Sequence, residues 1–79
     1  MLMKIKLYGA NWCSDCVRTK SFLDIKAVNY EYIDITDNDE AIAFVKKTSK
    51  GKRVIPVLIL GGESYVNPNM DVLKKLFFK

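Results

Sequence analysis

A chain of 79 residues is long enough for one hydrophobic core and too short for two. With 49% apolar side chains, four glycines and two prolines, the composition excludes a disordered or fibrous protein. The net charge of +4, from 13 basic and 9 acidic side chains, is modest and lies largely in the runs KKTSKGKR (46–53) and KKLFFK (74–79); without a recognisable nucleic-acid module beside them, these do not mark a nucleic-acid binder.

The first ten residues, MLMKIKLYGA, interleave lysines with apolar side chains and lack the unbroken apolar stretch of a secretory signal. The longest apolar run, VIPVLIL (54–60), is far too short to span a bilayer. A cytoplasmic protein without membrane attachment is expected. In that setting two cysteines are more often catalytic or metal-binding than a structural disulfide.

Taken in chain order, MKIKLY (3–8) alternates Met3, Ile5 and Leu7 with lysines and Tyr8, the period of two that marks a strand. Gly9 to Asn11 reads as a loop. From Ser14 to about Ala27 no glycine or proline interrupts the chain. Cys16, Thr19, Leu23 and Ala27 share one helical face there, with Phe22 beside it. NYEYIDI (29–35) alternates and is rich in β-branched and aromatic residues, a second strand. Asp37 and Glu40 have capping-box spacing. Ala41, Phe44, Val45 and Thr48 continue at helical spacing, and Gly51 stands where a C′ glycine would end that helix. VLIL (57–60) is apolar throughout, as in a strand covered on both faces. Gly61-Gly62 suits a tight hairpin turn into ESYV (63–66). Asn67-Pro68 resembles an N-cap followed by proline at the first helical position, opening a helix whose buried stripe is Val72, Leu73, Leu76 and Phe77.

The order is therefore β-α-β-α-β-β-α. A βαβ start makes the first two strands parallel with a right-handed crossover, and a short hairpin makes the last two antiparallel. The expected fold is α/β: a four-stranded mixed sheet with three helices, the thioredoxin-type architecture, in one domain over residues 1–79.

Both cysteines lie in NWCSDCVRTK (11–20), where the first strand gives way to the first helix. Cys13 falls at the helix N-terminus and Cys16 one turn inside. Free N–H groups and the helix dipole favour an anion at that end, and the thiolate is the nucleophilic form of cysteine. The spacing places the second sulfur within reach of the first. Cys13 can attack a disulfide, form a mixed disulfide, and be released when Cys16 attacks in turn. Asp15 opposes a thiolate there, whereas Arg18 and Lys20 favour it.

A metal role needs more ligands. Tetrahedral zinc takes four, usually Cys or His, and the chain has two cysteines and no histidine. Zinc or a [2Fe–2S] cluster would need the cysteines of two chains. A Cys–His hydrolytic nucleophile is excluded for want of histidine. Pro56 opens an apolar strand, where a residue without an N–H is tolerated at the first position or in a cis bond at a turn. A cis Ile55–Pro56 bond would leave the Ile55 backbone free to pair with an extended substrate. Trp12 offers a flat apolar surface beside Cys13.

Together, YGANWCSDCVRTKSFL, GKRVIPVLIL and GGESYVNPNMDVLKKL resemble the glutaredoxin family over essentially the whole chain. The strongest parts are the Cys-x-x-Cys at the strand–helix junction and RVIPV, similar to the family's Thr-Val-Pro segment. The resemblance implies a thioredoxin fold, dithiol–disulfide exchange and a cis Pro56. It makes Cys13 the nucleophile and Cys16 the resolving thiol. Lys52, Arg53 and Ile55 would line the groove for a low-molecular-weight thiol, with Asn69 and Asp71 offering polar contacts to it. Ser14 and Asp15 replace the Pro-Tyr common between the cysteines, and VNPNMD replaces the common Gly-Gly followed by aspartates. Asn67-Pro68 and Trp12 point to the mycoredoxin and NrdH-redoxin-like branch, which leaves open whether glutathione or another cellular thiol is used. The expected protein is a monomer with no tightly bound cofactor. Its expected partners are disulfide-containing proteins and, as reductant, a low-molecular-weight thiol or a flavoenzyme of the thioredoxin-reductase type. The second reading is a dimeric metal- or cluster-binding protein that uses the same cysteines.

Overall fold

The computed structural model describes residues 4–52 and 54–77. Of the residues singled out above, Met3 and Arg53 lie outside that set. The elements are β1 (Ile5–Gly9), α1 (Ser14–Ile25), β2 (Glu31–Asp34), α2 (Asp39–Thr48), β3 (Val57–Leu60), β4 (Glu63–Val66) and α3 (Met70–Phe77), in the expected order. The strands form one sheet in the order β2-β1-β3-β4. β1 runs parallel to β2, with Leu7 opposite Tyr32 and Gly9 opposite Asp34. It runs antiparallel to β3, with Tyr8 opposite Val57, and β3 is antiparallel to β4. This register brings the end of β1, where the cysteine segment leaves the sheet, beside Pro56 at the entry to β3.

The alternation along β1 sorts its side chains onto two faces. Leu7 joins Phe22 and Leu23 of α1, Leu58 of β3 and Leu73 of α3 in one apolar cluster. On the other face Ala10, Ile35, Ala41, Val45 and Val57 form a second cluster beneath α2. β3 contributes Leu58 to one and Val57 to the other, which is why VLIL has no polar alternation. The hairpin turn uses positive φ at both Gly61 (57°) and Gly62 (89°), a backbone that suits the twist of the flanking strands.

Several boundaries differ from those expected. α1 stops at Ile25. Ala27 takes a left-handed φ of 57°, and the N–H groups of Ala27 and Val28 bond back to the carbonyls of Asp24 and Leu23, a Schellman ending. Ala27 is thus exposed beyond the helix rather than on its buried face. The N-cap of α2 is Asn38, whose side chain accepts from the Ala41 N–H at 3.1 Å. Asp37, with φ of 56°, is the turn residue before it. At the other end Lys50 (φ 57°) holds the C′ position and Gly51 (φ 88°) follows it, donating to the Lys46 carbonyl. The start of α3 is also displaced by two residues. Asn69 caps it, accepting from the Val72 N–H at 3.0 Å, while Asn67 sits in a left-handed turn (φ 47°) and Pro68 is buried ahead of the helix.

Candidate active site

Cys13 is the N-cap of α1. Its backbone is extended (φ −98°, ψ 114°), its N–H donates to the Ala10 carbonyl at 3.2 Å, and its own carbonyl accepts the first helical bond, from Val17 at 3.0 Å. Its Sγ accepts the Cys16 N–H at 3.2 Å. The sulfur therefore occupies the place that a hydroxyl, amide or carboxylate oxygen fills in most helices. An amide N–H aimed at sulfur is a better partner for a thiolate than for a thiol.

Cys16 follows at the third helical position and is 1% exposed, whereas Cys13 is partly open to solvent. Burial pushes the Cys16 thiol up to about 12, helped by its hydrogen bond to the Cys13 sulfur and by the charges of Cys13 and Asp15; a backbone hydrogen bond from Ala10 opposes the shift. One sulfur is accessible and the other is held protonated behind it. Neither is in a disulfide. Asp15 is occupied by the Arg18 guanidinium, which bonds its carboxylate, so the acid between the cysteines stands next to its own counterion.

The floor beneath Cys16 was not legible as part of the site. Gly9 ends β1 rather than opening a loop. A Cβ on Gly9 would lie 3.0 Å from both the Cβ and the Sγ of Cys16 and 3.5 Å from the Tyr32 hydroxyl. The glycine is thus a close-approach residue that lets α1 seat its second cysteine against the sheet. Tyr32 reaches this point because the parallel register sets it diagonally across from Gly9. The Lys20 ammonium lies 5.7 Å from its ring centroid. A glycine three residues before the Trp-Cys pair is the available sequence signal for the first; nothing local signals the second.

The remaining candidates differ in their exposure. Trp12, the residue before Cys13, is 68% exposed. Pro56 is buried and joined to Ile55 by a cis bond; its carbonyl accepts from the Asn67 N–H at 2.7 Å. Ile55 and Cys13 pack against the same apolar cluster beneath α2. Lys52 is exposed in the turn after α2, and Asp71 is exposed in the first turn of α3. Asn69 uses its side-chain oxygen to cap that helix. Among the described residues no hydrogen bond or ion pair ties Lys52, Asn69 or Asp71 to the cysteines, and no cluster of three or more Cys, Asp or Glu side chains is placed to hold a metal ion.

Residues 5–65, which contain both cysteines, Pro56, the first three strands, all but the last residue of β4 and the first two helices, match the glutaredoxin family model. The chain belongs to the glutaredoxin family. A protein of Mycobacterium tuberculosis named as a glutaredoxin is 32% identical over 76 residues, covering 95% of this chain and 90% of its own length. Mycoredoxin 1 of Corynebacterium glutamicum is 28% identical over 57 residues, 72% of this chain and 70% of its own. The solved structure of NrdH-redoxin from Escherichia coli, a glutaredoxin-like protein described as having a thioredoxin-like activity profile, superimposes with a TM-score of 0.73 at 27% identity, covering 92% of this chain and 93% of that one. The family, its thioredoxin-like fold and its thiol-oxidoreductase character agree with the resemblance read from the motifs. The likeness extends to the glutaredoxin, mycoredoxin and NrdH branches together.

Proposed function

We propose that this glutaredoxin-family protein is a dithiol oxidoreductase that reduces disulfides of proteins, or mixed disulfides with a low-molecular-weight thiol, with Cys13 as nucleophile and Cys16 as resolving thiol. The observation that carries this reading is the pair of sulfurs at one helix start: the accessible Cys13 sulfur accepts an N–H of the first turn, and the buried Cys16 stands directly behind it. In the first step the Cys13 thiolate attacks a disulfide R–S–S–R′, forming Cys13–S–S–R and releasing R′–S⁻, which takes up a proton. In the second, Cys16 loses its proton and attacks the Cys13 sulfur. The Cys13–Cys16 disulfide forms, and R–S⁻ leaves and is protonated. Two electrons pass from the protein to the substrate.

Trp12 and Ile55 form the docking surface in this reading, with the buried Pro56 backing it from beneath and the Ile55 backbone pairing with an extended substrate. Lys52 and Arg53 steer anionic partners, and Asn69 and Asp71 add polar contacts to a small thiol. The chain works as a monomer with no resident cofactor, in a reducing compartment such as the cytoplasm. Electrons return from a low-molecular-weight thiol or from a flavoenzyme of the thioredoxin-reductase type. The activity profile described for NrdH-redoxin supports the flavoenzyme arm.

Cys16→Ser is the direct test. Incubated with a disulfide substrate, it should accumulate a covalent Cys13 mixed disulfide visible by intact mass, while the unaltered chain passes to the internal disulfide. Recovery of the oxidised chain is then followed with thioredoxin reductase and, separately, with each small thiol. Failure of Cys16→Ser to trap any adduct would sink the assignment of roles.

A further inference from the structure

The second step asks for something that the two cysteines do not provide. Cys16 must become a thiolate while it is 1% exposed, and the N–H of the helix start is already directed at the other sulfur. Groups facing Cys16 come from three elements. From its own helix there are Cys13 and Asp15, from the end of β1 the Ala10 backbone, and from β2 the Tyr32 hydroxyl. The position that a Gly9 side chain would fill lies 3.0 Å from the Cys16 sulfur and 3.5 Å from that hydroxyl. The two atoms thus flank one point, which only a glycine leaves vacant. Lys20, one turn beyond Cys16 on α1, places its ammonium over the Tyr32 ring while also bonding Asp24 at 3.3 Å.

We propose that Tyr32 is a positioning residue for the resolving thiol: its hydroxyl reaches into the space kept by Gly9 and donates a hydrogen bond to the Cys16 sulfur as that sulfur becomes a thiolate, with the Lys20 cation on the ring strengthening the donor. Tyr32 transfers no proton in this scheme. The Cys16 proton goes to solvent, and the departing R–S⁻ takes one up, so the net step remains Cys13–S–S–R plus Cys16–SH giving the internal disulfide plus R–SH. The phenol is suited to the role because it stays protonated. Burial first, then the charges of Asp34 and Cys16, push it above its ordinary value; Lys20 opposes, and Cys13 adds a smaller push upward. A hydrogen bond from a neutral donor to a charged sulfur is stronger than one to a thiol, so the contact favours the attacking form of Cys16 over its resting form.

The proposal rests on the dithiol reading, and the test separates the two. The reduced chain is mixed with an excess of a chromogenic aryl disulfide. The first equivalent of aryl thiol reports attack by Cys13 and depends on reagent concentration; the second reports resolution by Cys16 and does not. Tyr32→Phe should leave the first phase within about twofold and slow the second roughly tenfold, the loss expected for one hydrogen bond to a charged group. Lys20→Met should slow the second phase less, and should do nothing further in the Tyr32→Phe background. Independently, in Cys13→Ser, the rate of Cys16 alkylation by iodoacetamide should be displaced toward higher pH when Tyr32→Phe is added. If Phe behaves like Tyr in both measurements while Tyr32→Leu slows both phases alike, the ring is packing alone and the proposal is overturned. Release of a single equivalent by the unaltered chain would instead remove the dithiol reading, and the alkylation profile would still decide the role of Tyr32.

Discussion

α1 and α2 begin in the same way and do different things. In each, the N-cap side chain accepts the N–H of the residue three positions on: Cys13 Sγ from Cys16, and Asn38 Oδ1 from Ala41. The cap stabilises the helix in both. In α2 the acceptor is a carboxamide oxygen, which has no further chemistry, and the third position is a small apolar residue. In α1 the acceptor is a sulfur and the third position is a second sulfur, whose thiol bonds back toward the cap. Cap and third position face each other by the geometry of the first turn, as in a capping box. The Cys-x-x-Cys spacing is this same geometry with reactive atoms in both places. A helix start is therefore enough to bring two thiols together, and what separates a structural cap from a redox centre is the element carried there.

Exchanging the elements breaks the comparison most severely. Cys13→Ser keeps a good N-cap and should abolish turnover with disulfide substrates while leaving the thermal midpoint nearly unchanged. A large loss of stability would mean that the sulfur is indispensable to the fold. A second contrast is pH. Cys16 is raised from 9.0 to about 12 in the folded chain. Below pH 9 both folded and unfolded states hold its proton and nothing is lost; between 9 and 12 the unfolded state ionises first. Stability should therefore fall by on the order of 1.4 kcal/mol per pH unit in that window from this group. Tyr30, raised to about 12 by burial and by its hydrogen bond to Asp24, steepens the fall above pH 10. Denaturant titrations at pH 8 to 11 should show this slope, and Cys16→Ala should flatten it; an unchanged slope would refute the attribution to Cys16.

Smaller effects sharpen the contrast. Gly9→Ala places a methyl against the first turn of α1 and should cost about 1–2 kcal/mol, an overpacking penalty, with the second exchange step slowed more than the first. A variant as stable as the original would show that α1 can shift at no cost. Asn38→Ala removes the inert cap and should cost about 1 kcal/mol. Its exchange kinetics should match those of the unaltered chain. Impaired exchange in Asn38→Ala would mean that the two helix starts are coupled across the sheet.

The elements and their order were legible because each has a clean local signature. Ile5 and Leu7 alternate with lysines, the apolar VLIL reflects burial on two faces, and Gly61-Gly62 turns the hairpin. Boundaries were harder where several residues compete for one job. Asp37 and Asn38 are both good caps, and the choice went to Asn38 because Asp37 is spent on the left-handed turn. Asn67 and Asn69 present the same ambiguity, with the same outcome. The cysteines were visible as a spacing, whereas the surroundings of Cys16 were not. Tyr32 is 16 positions away in the chain and enters the site only through the pairing of β2 with β1, which no local pattern specifies.

At the far end of α1, Ala27 holds the left-handed position that closes the helix. An alanine bears a steric cost there that glycine does not, so Ala27→Gly should raise stability by about 1 kcal/mol. Twelve helical residues separate that position from Cys13, some 18 Å at about 1.5 Å each, with the whole of α1 between the change and the sulfurs. The chain thus carries a stability control remote from its chemistry. Combined with a destabilising change at the cysteine end, it restores the midpoint without touching the site, so lost function and lost fold can be read apart in one molecule.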